Sequence, residues 1–175
     1  MASDSQLPQY RFCPWCGSST THKHLDGKER VVCAKSCGFV YWDNPVPVVA
    51  ALVLHKGDAI LVRQHKWPAG WYGLVTGFLE RDEEPRDGAA REVREELSLR
   101  VATTKWIGEY AYPKQNQVLL AYAMECEGDI VLSEELSAYK RIAARSLRPW
   151  PFGTGKAVAE WIRQQNFLDD LSSHA

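Results

Sequence analysis

Along the 175 residues, apolar positions gather into a short series of segments separated by polar turns. In "VPVVAALVLHKGDAILVRQH", from residue 46, two apolar, β-branched runs flank "HKGD", a pattern that predicts a hairpin. The two prolines of "DNPVPVV" resist helix and suit the start of a strand. "WYGLVTGFLE" predicts another strand and turn, and "TTKWIGEYAY", "QVLLAYAMEC" and "YKRIAARSL" predict three more. Residues 85–97 predict a helix: Pro85 fits its first turn, and Ala89, Ala90, Val93 and Leu97 form one packed side. "GKAVAEWIRQQNF" predicts a terminal amphipathic helix. The order of strands, helix, strands, helix predicts an α/β chain with a mixed sheet flanked by helices.

Residues 10–42 do not share this pattern. They are rich in cysteine, glycine and short polar turns, with too few apolar residues to bury a core of their own. Cys13-x2-Cys16 and Cys33-x3-Cys37 form two knuckles that can supply four thiolates to one zinc ion, and the metal then replaces the missing core. Ordinary buried or disulfide-linked cysteines are the alternative. Gly17 and Gly38, each directly after a knuckle's second cysteine, suit tight turns around sulfur. Cys126, alone in an apolar strand, reads as a small core residue. The chain therefore divides into a tail at 1–9, a zinc ribbon at 10–42, a larger domain at 43–168 and a tail at 169–175.

Composition narrows the function classes. A net charge of −1, with 45% hydrophobic and 25% charged residues, fits a globular protein and argues against a broad nucleic-acid-binding surface, while leaving room for local basic patches. No run approaches the roughly 20 apolar residues that span a bilayer, and "MASDSQLPQYRF" lacks a leader pattern, so a cytoplasmic protein is expected. The odd cysteine count and paired spacings favour metal binding in a reducing compartment.

The predicted helix at 85–97 raises a problem of charge. Glu92, Glu95 and Glu96 lie three and four residues apart, where like charges repel on an isolated helix. These spacings let all three converge on one point, and a hard cation such as Mg²⁺ takes a few carboxylates, water and phosphate oxygens. Gly77, without a Cβ, could bring a backbone carbonyl close to the same ion. Glu83 and Arg91 are partners across the loop that enters the helix. A solvated charged helix is the alternative, but it accounts for neither Gly77 nor the Glu83–Arg91 spacing.

Residues 77–99, "GFLERDEEPRDGAAREVREELSL", resemble the Nudix box, G-x5-E-x7-R-E-U-x-E-E-x-G-U with U aliphatic, at Gly77, Glu83, Arg91, Glu92, Val93, Glu95, Glu96 and Leu99. Ser98 stands where the family has the glycine that closes the helix. The resemblance implies an α/β/α sandwich that hydrolyses nucleoside diphosphates linked to another moiety, using Mg²⁺ or Mn²⁺. It implies Glu92, Glu95 and Glu96 as catalytic metal ligands, with Glu92 or Glu96 also a candidate base, and a further acid from a downstream loop. "GDIVLSEELSAYKR" offers Glu134 and Glu135, and Glu135 matches the acid in the similar segment of NADH pyrophosphatases.

A zinc ribbon followed by a Nudix domain is similar to NADH pyrophosphatases and to zinc-ribbon Nudix enzymes that act on FAD or ADP-ribose. The first group carries S-Q-P-W-P-F-P-x-S downstream of the box. "GEYAYPKQNQ" stands in that place here and keeps little beyond Tyr112-Pro113, while "RPWPFG" at 148–153 lies too far along the chain. The resemblance thus implies pyrophosphatase chemistry without naming NADH. Trp71, Phe78 and Tyr112 lie near the expected pocket and could stack on a base or flavin ring, with core packing as the alternative. His55 and His65 have no zinc-like spacing and are expected at the surface. The expected partner is a small-molecule nucleotide; no membrane or nucleic acid is expected, and a homodimer is left open. A second function class is a binding module that senses ADP-ribose or a related nucleotide uncleaved, with the ribbon contacting a partner. Such a module would be expected to lose box carboxylates, and none is lost here.

Overall fold

The computed structural model describes residues 10–172, with side chains through Gln165. The tail expected at 1–9 and residues 173–175 lie outside them. The chain forms two compact units, Met1–Asn44 and Pro45–Ala175. In the first, β1 (Thr20–Leu25), β2 (Lys28–Cys33) and β3 (Val40–Tyr41) make a three-stranded antiparallel sheet in that order. Only Val31, Val32 and Cys33 of these strands are buried, too few apolar residues to hold the unit without help.

The second unit contains β4 (Val46–His55), β5 (Asp58–Gln64), β6 (Val75–Phe78), α1 (Pro85–Leu97), β7 (Arg100–Tyr112), β8 (Gln117–Glu127), β9 (Leu136–Ala143) and α2 (Gly155–Ser172). Its six-stranded sheet runs β7-β8-β4-β5-β9, with β6 also paired to β4. Every pairing is antiparallel except that of β4 with β8, so the sheet is mixed as expected. The apolar run of β4 is continuous because both of its faces are covered. Val49, Ala51 and Val53 pack with Ala89, Val93 and Leu97 of α1. Ala50, Leu52 and Leu54 pack with Ala157, Val158 and Trp161 of α2. Strand alternation thus builds two cores, one on each side of a single sheet, and the result is an α/β/α sandwich.

The "HKGD" hairpin forms as expected, with Lys56 at φ 53° and Gly57 at φ 84°. Positive φ at both central residues gives the two-residue turn that matches strand twist. Cys126 is buried in β8 and His65 is exposed, both as expected. The last helix continues to Ser172, past the boundary expected at 168. Among the described residues, no helix is long and apolar enough to cross a membrane.

His55 is a correction. Expected at the surface, it is 2% exposed at the end of β4. Arg141 in β9 donates to its Nδ1 over 3.2 Å, which leaves Nε2–H to donate to the Gly128 carbonyl at 2.9 Å. Asp58 accepts from Arg141 Nε at 3.0 Å and completes the network. A partner-free histidine would have stayed in water; this one is fully satisfied, which removes the cost of burying it.

Ser98 closes α1 in place of the glycine. It adopts φ 57°, ψ 21°, the left-handed conformation, and its N–H donates to the Arg94 carbonyl. A side chain in this region costs roughly 1–2 kcal/mol, so the glycine's geometry is kept under strain. Ser98→Gly should therefore stabilise the protein by about 0.5–1 kcal/mol, after the greater entropy of glycine in the unfolded chain is offset. At this size that raises Tm by about 1–4 °C, measurable by calorimetry, whereas an unchanged or lower Tm would mean that Ser98 carries no strain.

Candidate active site

A glycine within β6, Gly77, makes room for a carboxylate. A Cβ placed on Gly77 would lie 1.9 Å from Glu92 Cδ, so any other residue there would expel the Glu92 side chain. Gly77 pairs with Val49 and faces the α1 side of the sheet, which brings the strand backbone against the acidic helix. A second cradle, at Gly88, is not evident from the sequence pattern. A Cβ there would come within 2.7 Å of Glu83 Oε2. The available signal was a glycine inside a helix, which costs about 1 kcal/mol relative to alanine and so asks for a reason.

Arg91 ties these carboxylates together. Its Nε and Nη2 hold both Glu83 oxygens at 2.9 and 3.1 Å, and its Nη1 donates to Glu92 at 2.7 Å and Glu95 at 2.9 Å. Nη2 also donates to the Phe78 carbonyl at 3.1 Å, so one guanidinium locks the end of β6 and the entry loop to the helix. Its hydrogen bonds hold the Glu83 carboxyl below its ordinary range. Burial raises Glu92 despite the same cation beside it.

Glu96 has no such partner. It is 4% exposed, and its Oε2 is buried without a hydrogen bond. Burial, followed by the charges of Glu92, Glu135 and Glu95, pushes its carboxyl up to about 8. Glu135 arrives through the loop after β8, which caps the helix: Val131 N–H donates to the Leu97 carbonyl and Ser133 N–H to the Glu96 carbonyl, both at 3.0 Å. The charge of Glu135 acts on both Glu92 and Glu96, and that of Glu134 on neither. Among the described residues, only the four cysteines bring three or more ligand atoms within 4.8 Å of one another. Glu92 and Glu95 are both held by Nη1 of Arg91. The donor set nevertheless fits a hard cation, since it is all oxygen, surplus in negative charge and includes an orphaned buried oxygen.

The three aromatic residues separate. Phe78 pairs with Val48, and Tyr112 shares a row with Gln117 and Val46, which places both on the α2 side of the sheet, opposite the side that Gly77 faces. Phe78 is 60% exposed and Tyr112 is half-buried. Trp71 is also exposed, and its ring lies 5.3 Å from that of Phe152.

In the ribbon, the four cysteine sulfurs all lie within 4.8 Å of one another, with Cys13–Cys37 and Cys16–Cys33 at 3.5 Å. These distances are too long for disulfides and close to the roughly 3.8 Å that Zn–S bonds of about 2.3 Å impose on a tetrahedron. Gly17 and Gly38 have φ of 70° and 100°, the turns expected beside the second cysteine of each knuckle. Each of the four residues offers one sulfur, a set that would complete a tetrahedral zinc site and leave no position for substrate.

Two outcomes follow from these centres. Without divalent cation, Glu96 keeps a proton in the folded state that the unfolded chain releases near its ordinary value of 4.5. Stability is therefore full below pH 4.5 and falls as pH rises towards about 8. The loss should be on the order of 3 kcal/mol, absent in Glu96→Gln, and reversed at pH 8 by Mg²⁺ or Mn²⁺. A flat pH profile in the metal-free protein would contradict the burial of an unpaired carboxyl. For the ribbon, elemental analysis should find about one zinc per chain, and Cys33→Ser should destabilise residues 10–42 by several kcal/mol. Native-state thiol titration that found all four cysteines free would remove the zinc.

Comparison with known proteins agrees with this geometry. The NUDIX domain profile matches residues 44–164, and the Nudix N-terminal profile, a zinc ribbon, matches residues 11–42. Among curated relatives, the NAD-capped RNA hydrolase NudC of Pseudomonas putida is 27% identical over 156 residues, covering 88% of this chain and 55% of its own. The protein of that name from Pseudomonas aeruginosa is 31% identical over 126 residues, covering 71% of this chain and 44% of its own. The chain spans about half the length of the curated relatives it matches. A NUDIX hydrolase crystal structure from Nitrosomonas europaea superposes with a TM-score of 0.69 at 25% identity, over 78% of this chain and 80% of that one. An ADP-ribose pyrophosphatase from Streptococcus suis shares the fold with a TM-score of 0.57 at 18% identity, over 70% of this chain and 92% of that one. With the acidic helix, its glycine cradle and the sandwich around them all matched by one profile, the chain belongs to the Nudix hydrolase family.

Proposed function

We propose that the chain hydrolyses the pyrophosphate bond of a nucleoside diphosphate linked to another moiety, a dinucleotide-like substrate such as NADH, FAD or ADP-ribose. The observation that carries this reading is the buried, unpartnered oxygen of Glu96 amid the charges of Glu92, Glu95 and Glu135. Such a group needs a cation, and these four carboxylates with the Gly77 carbonyl would hold Mg²⁺ or Mn²⁺. When bound, that cation neutralises phosphoryl charge and lowers the pKa of an attacking water. Arg91 keeps Glu92 oriented against Gly77, and the capped loop keeps Glu135 beside Glu96. Glu92 or Glu96 takes the proton from the water. Of the three candidate rings, Trp71 is exposed and a base can stack on it, whereas Phe78 and Tyr112 stand on the side of the sheet opposite the carboxylates.

The relatives are named for a substrate that is an RNA, whereas net charge alone argued against nucleic acid. An RNA with a 5′ NAD end therefore joins NADH, NAD, FAD, ADP-ribose and diadenosine polyphosphates in the substrate panel. We assign the reaction to the cytoplasm, where reducing thiol pools keep a four-thiolate centre intact.

Product separation by chromatography, with Mg²⁺ or Mn²⁺ present, should show cleavage between the two phosphorus atoms of at least one of these compounds. Glu95→Gln and Glu96→Gln should lower kcat by about 100-fold or more with the fold retained. Glu135→Ala should cost more than Glu134→Ala. Near-wild-type turnover of Glu96→Gln at saturating metal would sink the assignment, and tight nucleotide binding without cleavage by the wild type would favour the sensor reading.

A further inference from the structure

Gly73, two residues before β6, is a third position where a glycine makes room for a side chain. A Cβ placed there would come within 3.1 Å of Trp67 Cη2 and 3.3 Å of its Cζ3, so the indole ring lies directly on this buried backbone. Gly73 and Val62 exchange both of their backbone hydrogen bonds, at 3.0 and 2.9 Å, in an antiparallel bridge. Directly opposed residues of such a pair project to the same face, and Val62 packs in the core beneath α1. The Trp67 ring therefore stands on the face that carries the carboxylates. The alternation of Gly73, Val75 and Gly77 along the chain agrees, since Val75 belongs to that same core.

The row continues on the other side of Val62 to Tyr139 of β9. Parity again fixes the face: the next residue, Lys140, pairs with Leu61, which belongs to the core on the α2 side. Tyr139 and the Trp67 ring thus flank Val62 on the α1 side. Neither residue is core. Tyr139 is 38% exposed and Trp67 is partly exposed, and both stand outside the two buried clusters and the residues packed against them.

Both rings are tied to the acid that completes the carboxylate corner. His65 N–H donates to the Glu135 carbonyl at 3.3 Å, and Trp67 follows two residues later, its own N–H bonded to the Gln64 carbonyl at 3.1 Å. Glu135 immediately precedes β9, and Tyr139 lies four residues beyond it. The backbone that brings Glu135 to the site therefore also carries Trp67 and Tyr139.

NADH, FAD, ADP-ribose and the diadenosine polyphosphates share an adenosine half. Its base is flat on both faces, and stacking on accessible aromatic rings is the general means by which proteins hold such a base. We propose that Trp67 and Tyr139 form the adenine subsite of the carboxylate centre, so that the base lies against these rings while its diphosphate reaches the cation. The assignment rests on the hydrolase reading and adds to it the two residues that select the adenosine half. Neither ring is an oxygen donor, which separates selection from chemistry.

The test is calorimetric titration of the full chain in Mg²⁺ with α,β-methylene adenosine diphosphate and with methylenediphosphonate, two uncleavable probes that differ by adenosine. The wild type should bind the nucleotide analogue about tenfold or more tighter than the diphosphonate. Trp67→Ala should weaken the analogue about tenfold, and Tyr139→Ala about fivefold, while Trp67→Phe and Tyr139→Phe stay close to wild type. Diphosphonate affinity should be the same in all four variants. Tyr139 is exposed, so its variants read the subsite even where loss of the Trp67 ring unsettles the loop. Unchanged affinity for the analogue in both alanine variants would overturn the proposal. So would an equal loss for both probes, which would make the rings supports for the acids, or a loss confined to Trp71→Ala, which would move the base to the ring paired with Phe152. Diphosphonate binding with no gain from adenosine would sink this subsite and leave the hydrolase reading in place. If the wild type binds neither probe, the cation site itself falls and takes the subsite with it.

Discussion

Negative charge confined against its own repulsion is the constraint on which the catalytic unit depends. Four carboxylates cannot share one partly buried corner unless something positive, or a proton, stands between them. Arg91 answers part of this for Glu83, Glu92 and Glu95, and a proton answers it for Glu96. The surrounding backbone is shaped by the same demand. Two glycines give up their side chains so that carboxylates can fit, and a loop commits its N–H groups to the helix's last carbonyls to bring Glu135 near. Arg91 thus holds Glu92 against the Gly77 backbone and Glu95 beside it.

The two units solve the problem of stability by different means. Pro45–Ala175 has alternating strand faces that fill two cores, and its stability follows from burial. Met1–Asn44 has hardly any core, and four sulfurs converge where one would be. Apolar burial is indifferent to chelators and oxidants, while a thiolate centre is sensitive to both. The same chain therefore answers to two independent chemical environments.

Much of this was legible in the sequence because the features are local. The α1 boundaries follow from Pro85 at one end and the break at Ser98 at the other, and the β4–β5 turn follows from Lys56-Gly57. Carboxylate spacing along one helix and cysteine spacing in two knuckles are likewise short-range patterns. What could not be read is what strands contribute to one another. His55 is buried because Gly128 and Arg141, 73 and 86 residues away, meet it. Phe78 sits beside the acidic site in sequence but on the α2 side of the sheet, because pairing with Val48 sets its parity. Trp71 and Phe152 meet only through the packing of a loop against the segment before α2. Spacing patterns report distances of a few residues; cross-sheet placement needs register, which the sequence does not display.

The parallel pairing of β4 with β8 has a kinetic consequence. Val46 lies beside Gln117, so the strand at the centre of the sheet must wait for a partner 71 residues later in the chain. Hairpins such as β4–β5 and β7–β8 close cheaply, whereas joining these two halves requires ordering the whole crossover through β6, α1 and β7 before the pairing returns any free energy. Glu92 and Glu96 are carried on that crossover, while Glu135 follows β8. Three of the four carboxylates come together with α1 itself, and only Glu135 waits for the crossover to close, so their full mutual repulsion is met only once the central pairing is in place.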